Sequence, residues 1–345
     1  APAPDLRGVA GEVLTPAPAF RLLDAAGNPV PGAPVRIEVL EGGGSVAQPE
    51  RVSGRDGRVG LTGWRMGEGV GTNRIRIQVT GRPGSEPGVE AASQALVLEI
   101  EAVAEPGAPA RIEGERVGAS EGQVAEPLDA QFQVRITDRF DNPVSDQAVT
   151  FTVLAGGGQV SAPGSVTASD GTASPGTWTL GPQAGSQVLQ ASLVAGGTTL
   201  STSFSAQALP GPPAALQVEG SPPLTAPAEE TLGLEGLGAR VTDALGNPLS
   251  GVEVIFTPAP GSGSVSDPVQ ETAQDGRAPF PAWTLGSGAG PQTLALAVVS
   301  RVASSTAAGG MGLGIDGFLG DEVTMLAARP GACRLPGALL QSYGS

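Results

Sequence analysis

Three aspartates are the first residues in this chain that could do chemistry. Asp24, Asp138 and Asp243 each stand four residues before an asparagine that precedes proline: Asn28-Pro29, Asn142-Pro143 and Asn247-Pro248. A carboxylate repeated at a turn is a candidate oxygen ligand for calcium at a domain junction. Calcium takes six or more oxygens, usually from several carboxylates close together. Only Asp141 adds a neighbour, and no Asp-x-Asp-x-Asp run exists. The competing role is a turn cap, in which each carboxylate accepts backbone N–H groups. Trp64, Trp178 and Trp283 would suit either a sugar-stacking face or a core, and one Trp at the same place in each copy of a repeat favours the core. Cys333 is the single cysteine, so it is free, buried or an intermolecular link, and no intrachain disulfide or thiolate cluster is available.

Other chemistry is excluded by composition. There is no His, and all 19 basic residues are Arg. The chain thus lacks the usual proton shuttle and metal ligand, a triad base and a Schiff-base amine. Gly42–Gly44 is not followed by Lys-Ser/Thr, so it is no phosphate loop. The acid pairs Asp321-Glu322 and Glu229-Glu230 are adjacent in sequence and face apart on a strand. No catalytic residue, cofactor or enzymatic activity is expected. The net charge of -15 argues against nucleic acid and anionic membranes, which select basic faces. The charge is uneven: residues 1–103 carry 10 Arg against 12 acids, 104–208 carry 4 against 10, and 209–345 carry 5 against 12. No apolar run is long enough to span a bilayer as a helix. Ala1-Pro2-Ala3-Pro4 fits a mature N-terminus after signal-peptide removal, or a cut chain. A secreted, extracellular or cell-surface location is expected.

The elements that position these residues come from an internal repeat. Asp24–Pro29 recurs as Asp138–Pro143 and Asp243–Pro248, at offsets of 114 and then 105. The same offsets carry Gly42–Val46 onto Gly156–Val160 and Gly261–Val265, Asp56-Gly57 onto Asp170-Gly171 and Asp275-Gly276, and Trp64 onto Trp178 and Trp283. Residues 24–79 therefore align three times without a gap, which marks tandem copies of one unit. Val35-Arg36-Ile37-Glu38-Val39 and Ile75-Arg76-Ile77-Gln78-Val79 alternate apolar and polar residues at period two, the pattern of a half-buried strand. Gly-Asn-Pro and Asp-Gly are turn signals between such strands.

Pro-rich joints at Ala104–Ala110 and Leu209–Ala215 divide the chain. The expected fold is all-β: three tandem immunoglobulin-like β-sandwich domains in a rod, at 1–103, 104–208 and 209–310, with a short C-terminal tail at 311–345. The Asp…Asn-Pro turn, the Gly-rich segment, the Asp-Gly turn and the Trp-x-x-Gly element (Trp64–Gly67, Trp178–Gly181, Trp283–Gly286) together resemble the bacterial immunoglobulin-like repeats of intimin and invasin-type adhesins, over about residues 1–310. The resemblance implies the sandwich fold and spacer modules; it carries no adhesive activity with it.

Differences between the copies are where an individual function would sit. The first unit has a shortened leading strand and a longer hairpin over Gly81–Ser93, the contact loop expected if the chain binds a surface ligand. The third has only Val302–Gly310 where a last strand should be, and Asp321–Arg329 reads as a short helix with an Asp cap and a Pro330 stop. An open third sheet, an apolar tail and a shortened first strand are the parts for head-to-tail strand exchange into a fibre. The assembly candidates are Met311, Leu313, Ile315, Phe318, Cys333, Leu335, Leu339, Leu340 and Tyr343. Two alternatives stand beside it: the tail folds back to complete its own third domain, or it tethers the chain to a membrane or cell wall. The expected function is an extracellular rod or fibre subunit partnered by itself. The other readings are an adhesin segment binding a surface ligand and a non-catalytic stalk of a secreted enzyme.

Overall fold

The computed structural model describes residues 5–79, 96–221, 225–301 and 315–328, with backbone alone for 299–301 and 315–328. Among the described residues every regular element is a strand. The hairpin at 81–93 and Met311, Leu313, Cys333, Leu335, Leu339, Leu340 and Tyr343 lie outside them.

The chain folds as three β-sandwiches in tandem. The five-stranded sheet of the second unit runs Glu121–Gln123, Thr198–Leu209, Gly185–Ala195, Ala148–Ala155 and Gly164–Val166. The short first strand pairs parallel with the last and the rest are antiparallel. The first unit repeats this order with Leu6–Val9, Val97–Glu105, Gly71–Val79, Pro34–Glu41 and Glu50–Val52. The facing sheet of the second unit pairs Ala130–Thr137 with Arg111–Gly118 on one side and Thr172-Ala173 on the other. In the third unit the same layer holds Ala215–Glu219, Gly238–Thr242 and Arg277–Pro279.

Alternation sends one face of each strand inward. Phe132, Val134 and Ile136 are buried between exposed Gln131, Gln133 and Arg135. Each unit builds its own core around its tryptophan, and Trp64, Trp178 and Trp283 are at most 1 % exposed. Phe132 meets Trp178 edge-on at 5.4 Å and Phe204 at 5.2 Å. This burial removes the tryptophans from any sugar-stacking role.

The two glycine motifs of each unit meet over this core. A Cβ on Gly181, the last residue of Trp-x-x-Gly, would overlap the carbonyl oxygen of Gly156, and Gly67 and Gly286 stand in the same way against Gly42 and Gly261. The glycines are there because two backbones touch.

Two expectations fail at the C-terminal side. Asp321–Arg329 does not form a helix: Ile315–Ala328 is a strand, antiparallel to Gly290–Arg301 (Gly290↔Ala327 through Val299↔Phe318) and parallel to Thr225–Pro227. An isolated short helix is marginal in water, whereas this segment gains a backbone ladder on both edges. The third unit therefore does not end at 310; its last strand is 315–328. Ile315 and Phe318 belong to that strand, and their backbone is taken by Arg301 and Val299 of the same chain. The third sheet is not left open for a donor from elsewhere.

The second layer of the first unit shows fewer strands among the described residues. Ala19–Arg21 pairs with Arg58–Gly60 in the register that Val134 and Arg135 share with Ala173 and Thr172. Among the described residues no strand occupies its other edge, where Arg111–Gly118 and Ala215–Glu219 lie in the other units.

The three cores differ in one testable detail. Trp283 Nε1 donates to the Ser262 carbonyl at 2.7 Å, while Trp178 Nε1 is buried without a partner. Trp283→Phe should therefore cost its unit about 1 kcal/mol more than Trp178→Phe costs the second. Calorimetry of the full chain, with the transition of each unit assigned, reads the difference.

Candidate functional site: the hydrogen-bonded joint between units

The repeated Asp…Asn-Pro turn lies at the meeting of two units. In the second unit Asp138 Oδ1 accepts N–H from Phe140 at 2.8 Å and from Asn142 at 3.0 Å, which closes the turn. Asp138 Oδ2 accepts the Gly107 N–H of the linker at 2.8 Å and the Asn142 side chain at 3.0 Å. Asn142 reaches across to the first unit. Its Nδ2 donates to the Glu68 carbonyl at 2.7 Å, and its Oδ1 accepts the Val70 N–H at 3.1 Å. Because one end must donate and the other accept, the carboxamide has a single orientation.

The second joint is built from the same atoms. Asn247 Nδ2 donates to the Pro182 carbonyl and its Oδ1 accepts the Ala184 N–H, both at 2.8 Å. Asp243 accepts from Asn247 Nδ2 and from Gly211 N–H of the linker, each at 2.9 Å. Asp138, Asn142, Asp243 and Asn247 are all buried, between 1 and 8 % exposed.

The receiving loop is shaped from behind by a buried amide. Gly181 N–H donates to Gln187 Oε1 at 2.8 Å, and Gln187 Nε2 donates to the Gln183 carbonyl at 3.1 Å. Asn73 and Gln292 hold the matching loops in their units through Gly67 and Gly286. These three residues were missed as site residues, though they obey the offsets of 114 and 105 that marked the rest. The signal was present, but a polar residue inside a strand reads as solvent-facing until the loop it supports is seen.

The first joint carries an addition. The ring of Phe140 packs against the core of the first unit and lies over Gly11, where a Cβ would overlap it. Arg139 stacks on that ring, 4.6 Å from its centroid, and stands 3.8 Å from Glu12. The third unit has Ala244 and a half-exposed Leu245 at these positions.

The calcium expectation meets this geometry directly. Asp138 and Asp243 spend their oxygens on N–H donors, and Asp141 turns its carboxylate to Arg111. Among the described residues no group of three His, Cys, Asp or Glu could hold a metal ion. Asp24, in the first unit, caps its turn through Ala26 and Asn28 N–H at 2.9 and 2.8 Å, with Asn28 Nδ2 at 3.2 Å. It stands exposed. The structure thus treats the three aspartates alike as turn caps, and two of them as parts of a clamp.

Burial pushes the Asp138 and Asp243 carboxyls up, but the side chains of Asn142 and Asn247, the Gly107 and Gly211 amides and the turn N–H groups outweigh it and hold both below the ordinary carboxylate value.

No protein-family model and no curated protein matches the sequence. Among solved structures the chain is similar to invasin, described as a bacterial integrin-binding protein, at 15% identity and a TM-score of 0.41, over 95% of this chain and 59% of that one. It is similar to InvD of Yersinia pseudotuberculosis at 15% identity and a TM-score of 0.48, over 86% of this chain and 92% of that one. The D0-D1 domain of intimin aligns at 16% identity and a TM-score of 0.24, over 59% of this chain and 96% of that one. This chain thus spans 59% of the length of the invasin structure.

Two results should follow from the clamp. Asn142→Ala or Asn247→Ala removes a donor and an acceptor at once, so label pairs on adjacent units should show a broadened distance distribution while each unit keeps its melting transition. Lowered carboxyl pKa values stabilise the joints above the unfolded carboxylate value, about pH 4, and that contribution is lost as pH falls through the folded values. The same labels should stay sharply distributed at neutral pH and broaden below about pH 4.

Proposed function

We propose that this chain is a structural spacer at the exterior of a bacterial cell, which holds its ends apart at fixed orientation. The clamp carries this reading: a buried asparagine repeated at both joints ties each unit to its neighbour by two directional bonds and to its linker through the aspartate. Flexible tethers need no such device, because a Gly/Ser linker alone would join the units. A chain without His or Lys has shape and stiffness to offer. Its acidic surface suits a protein kept apart from anionic lipid and nucleic acid.

Small-angle scattering tests the spacer. The intact chain should scatter as an extended, stiff particle, and the double variant Asn142→Ala/Asn247→Ala should give a broader distribution of dimensions at unchanged secondary structure. A profile compact at all concentrations, or one indifferent to the double substitution, would sink the reading. Protease accessibility on intact cells tests the exterior location separately.

A further inference from the structure

The first joint carries charged side chains that the second does not repeat. Between the first and second units a recess of about 450 Å³ is lined by Gly42–Ser45, Arg65 and Glu68 from one side and by Arg139 and Phe140 from the other. That volume lies in the range of small-ligand sites. A Cβ on Gly43 would meet nothing within 4 Å, so this wall faces open space and not packed chain. At the offset of 114 Arg65 and Glu68 become Thr179 and Pro182, and at the offset of 105 Arg139 and Phe140 become Ala244 and Leu245. The asparagine clamp is present at both joints, so Arg65, Glu68 and Arg139 are not needed to make a joint.

These charged groups are held in place and only partly used. Arg65 donates to the Gly11 carbonyl, which leaves its other guanidinium donors open. Arg139 sits over the Phe140 ring, so the aromatic face orients it while its N–H edge stays free. Its acidic neighbour Glu12 is 3.8 Å away, with both side chains more than half exposed, and such a pair is worth little. Among the described residues neither Arg65 nor Glu68 takes part in an ion pair. Two guanidiniums, Arg65 and Arg139, thus stand near two carboxylates, Glu12 and Glu68, and the four charges cancel.

From this recess we infer a ligand site at the first joint, for a small zwitterion: a free amino acid or a dipeptide. The ligand's carboxylate takes the guanidinium edges of Arg65 and Arg139, whose planar donors match it. Its ammonium group takes the carboxylate of Glu68. A recess whose own charges cancel does not select a simple anion, and the net charge of -15 repels one. A zwitterion carries no net charge to be repelled, and it satisfies both signs at once. Arg65 and Glu68 belong to one unit and Arg139 to the next, so the complete site exists only in the closed joint. A bound ligand therefore stabilises that arrangement by its preference for it. The site goes beyond the spacer reading and does not require it.

Calorimetric titration of the full chain with dialanine tests it, beside N-acetyl-dialanine and dialanine amide, which keep one charge each. Dialanine should bind saturably, and loss of either charge should weaken binding about tenfold. Arg139→Ala and Arg65→Thr put into the first joint the residue types that the second joint has at Ala244 and Thr179. Both should fold, and each should weaken dialanine about tenfold. Glu68→Ala keeps the carbonyl that Asn142 uses, and it should weaken dialanine without opening the joint. In Asn142→Ala, whose first joint is loosened, bound dialanine should narrow the label distances again; in Asn247→Ala it should leave the second joint as it is. Absence of saturable dialanine binding overturns the inference, as does binding that Arg139→Ala and Arg65→Thr both leave unchanged. N-acetyl-dialanine binding as well as dialanine would overturn it too, since the site would then be one for anions. A stiff chain that binds no dialanine ends this inference and leaves the spacer reading intact.

Discussion

The constraint on which the arrangement depends is that a buried carboxamide must have all its polar atoms satisfied. Asn142 finds part of its partners in its own unit and part in the preceding one, and Asn247 does the same. Neither unit can rotate within the closed joint without orphaning an amide group, at a cost of about 1–3 kcal/mol for each buried group left unpaired, whereas full withdrawal returns those groups to water. That penalty is larger than the net gain of making the bond, about 1 kcal/mol. The asymmetry makes the joint rigid without making it sticky. Each further feature serves that one amide. Asp138 fixes its orientation, Gln187 and its equivalents fix the loop it meets, and the paired glycines let that loop approach the core.

The two joints share this polar frame and differ in what surrounds it. Phe140 fills the contact with the first unit and is covered by Arg139, which also approaches Glu12. The exposed ion pair contributes at most about 1 kcal/mol, so the aromatic ring is the larger difference, since its apolar area leaves water. Where the third unit has Leu245, the side chain stays half exposed. The joint between the second and third units therefore lacks the aromatic contact that Phe140 gives the first.

Much of this was legible in the sequence, and the boundary of legibility has a physical cause. The three-fold offsets exposed the units, the buried tryptophans and the capped turns because those features are local and copied in step. The role of Asn142 was hidden because its partners are 72 and 74 residues away. A turn asparagine and a clamp asparagine look the same in one dimension, and the bond to Glu68 is to backbone, which leaves no side-chain signature. Asp321–Arg329 was misread for a related reason: its cap and stop residues are local signals, and they lost to pairing with Gly290–Arg301. That pairing is set by a strand that belongs to the third unit but follows a longer connection than in the second, so the copy fell out of register with its template. Once the strand is placed, the expected open sheet at the C-terminal side closes.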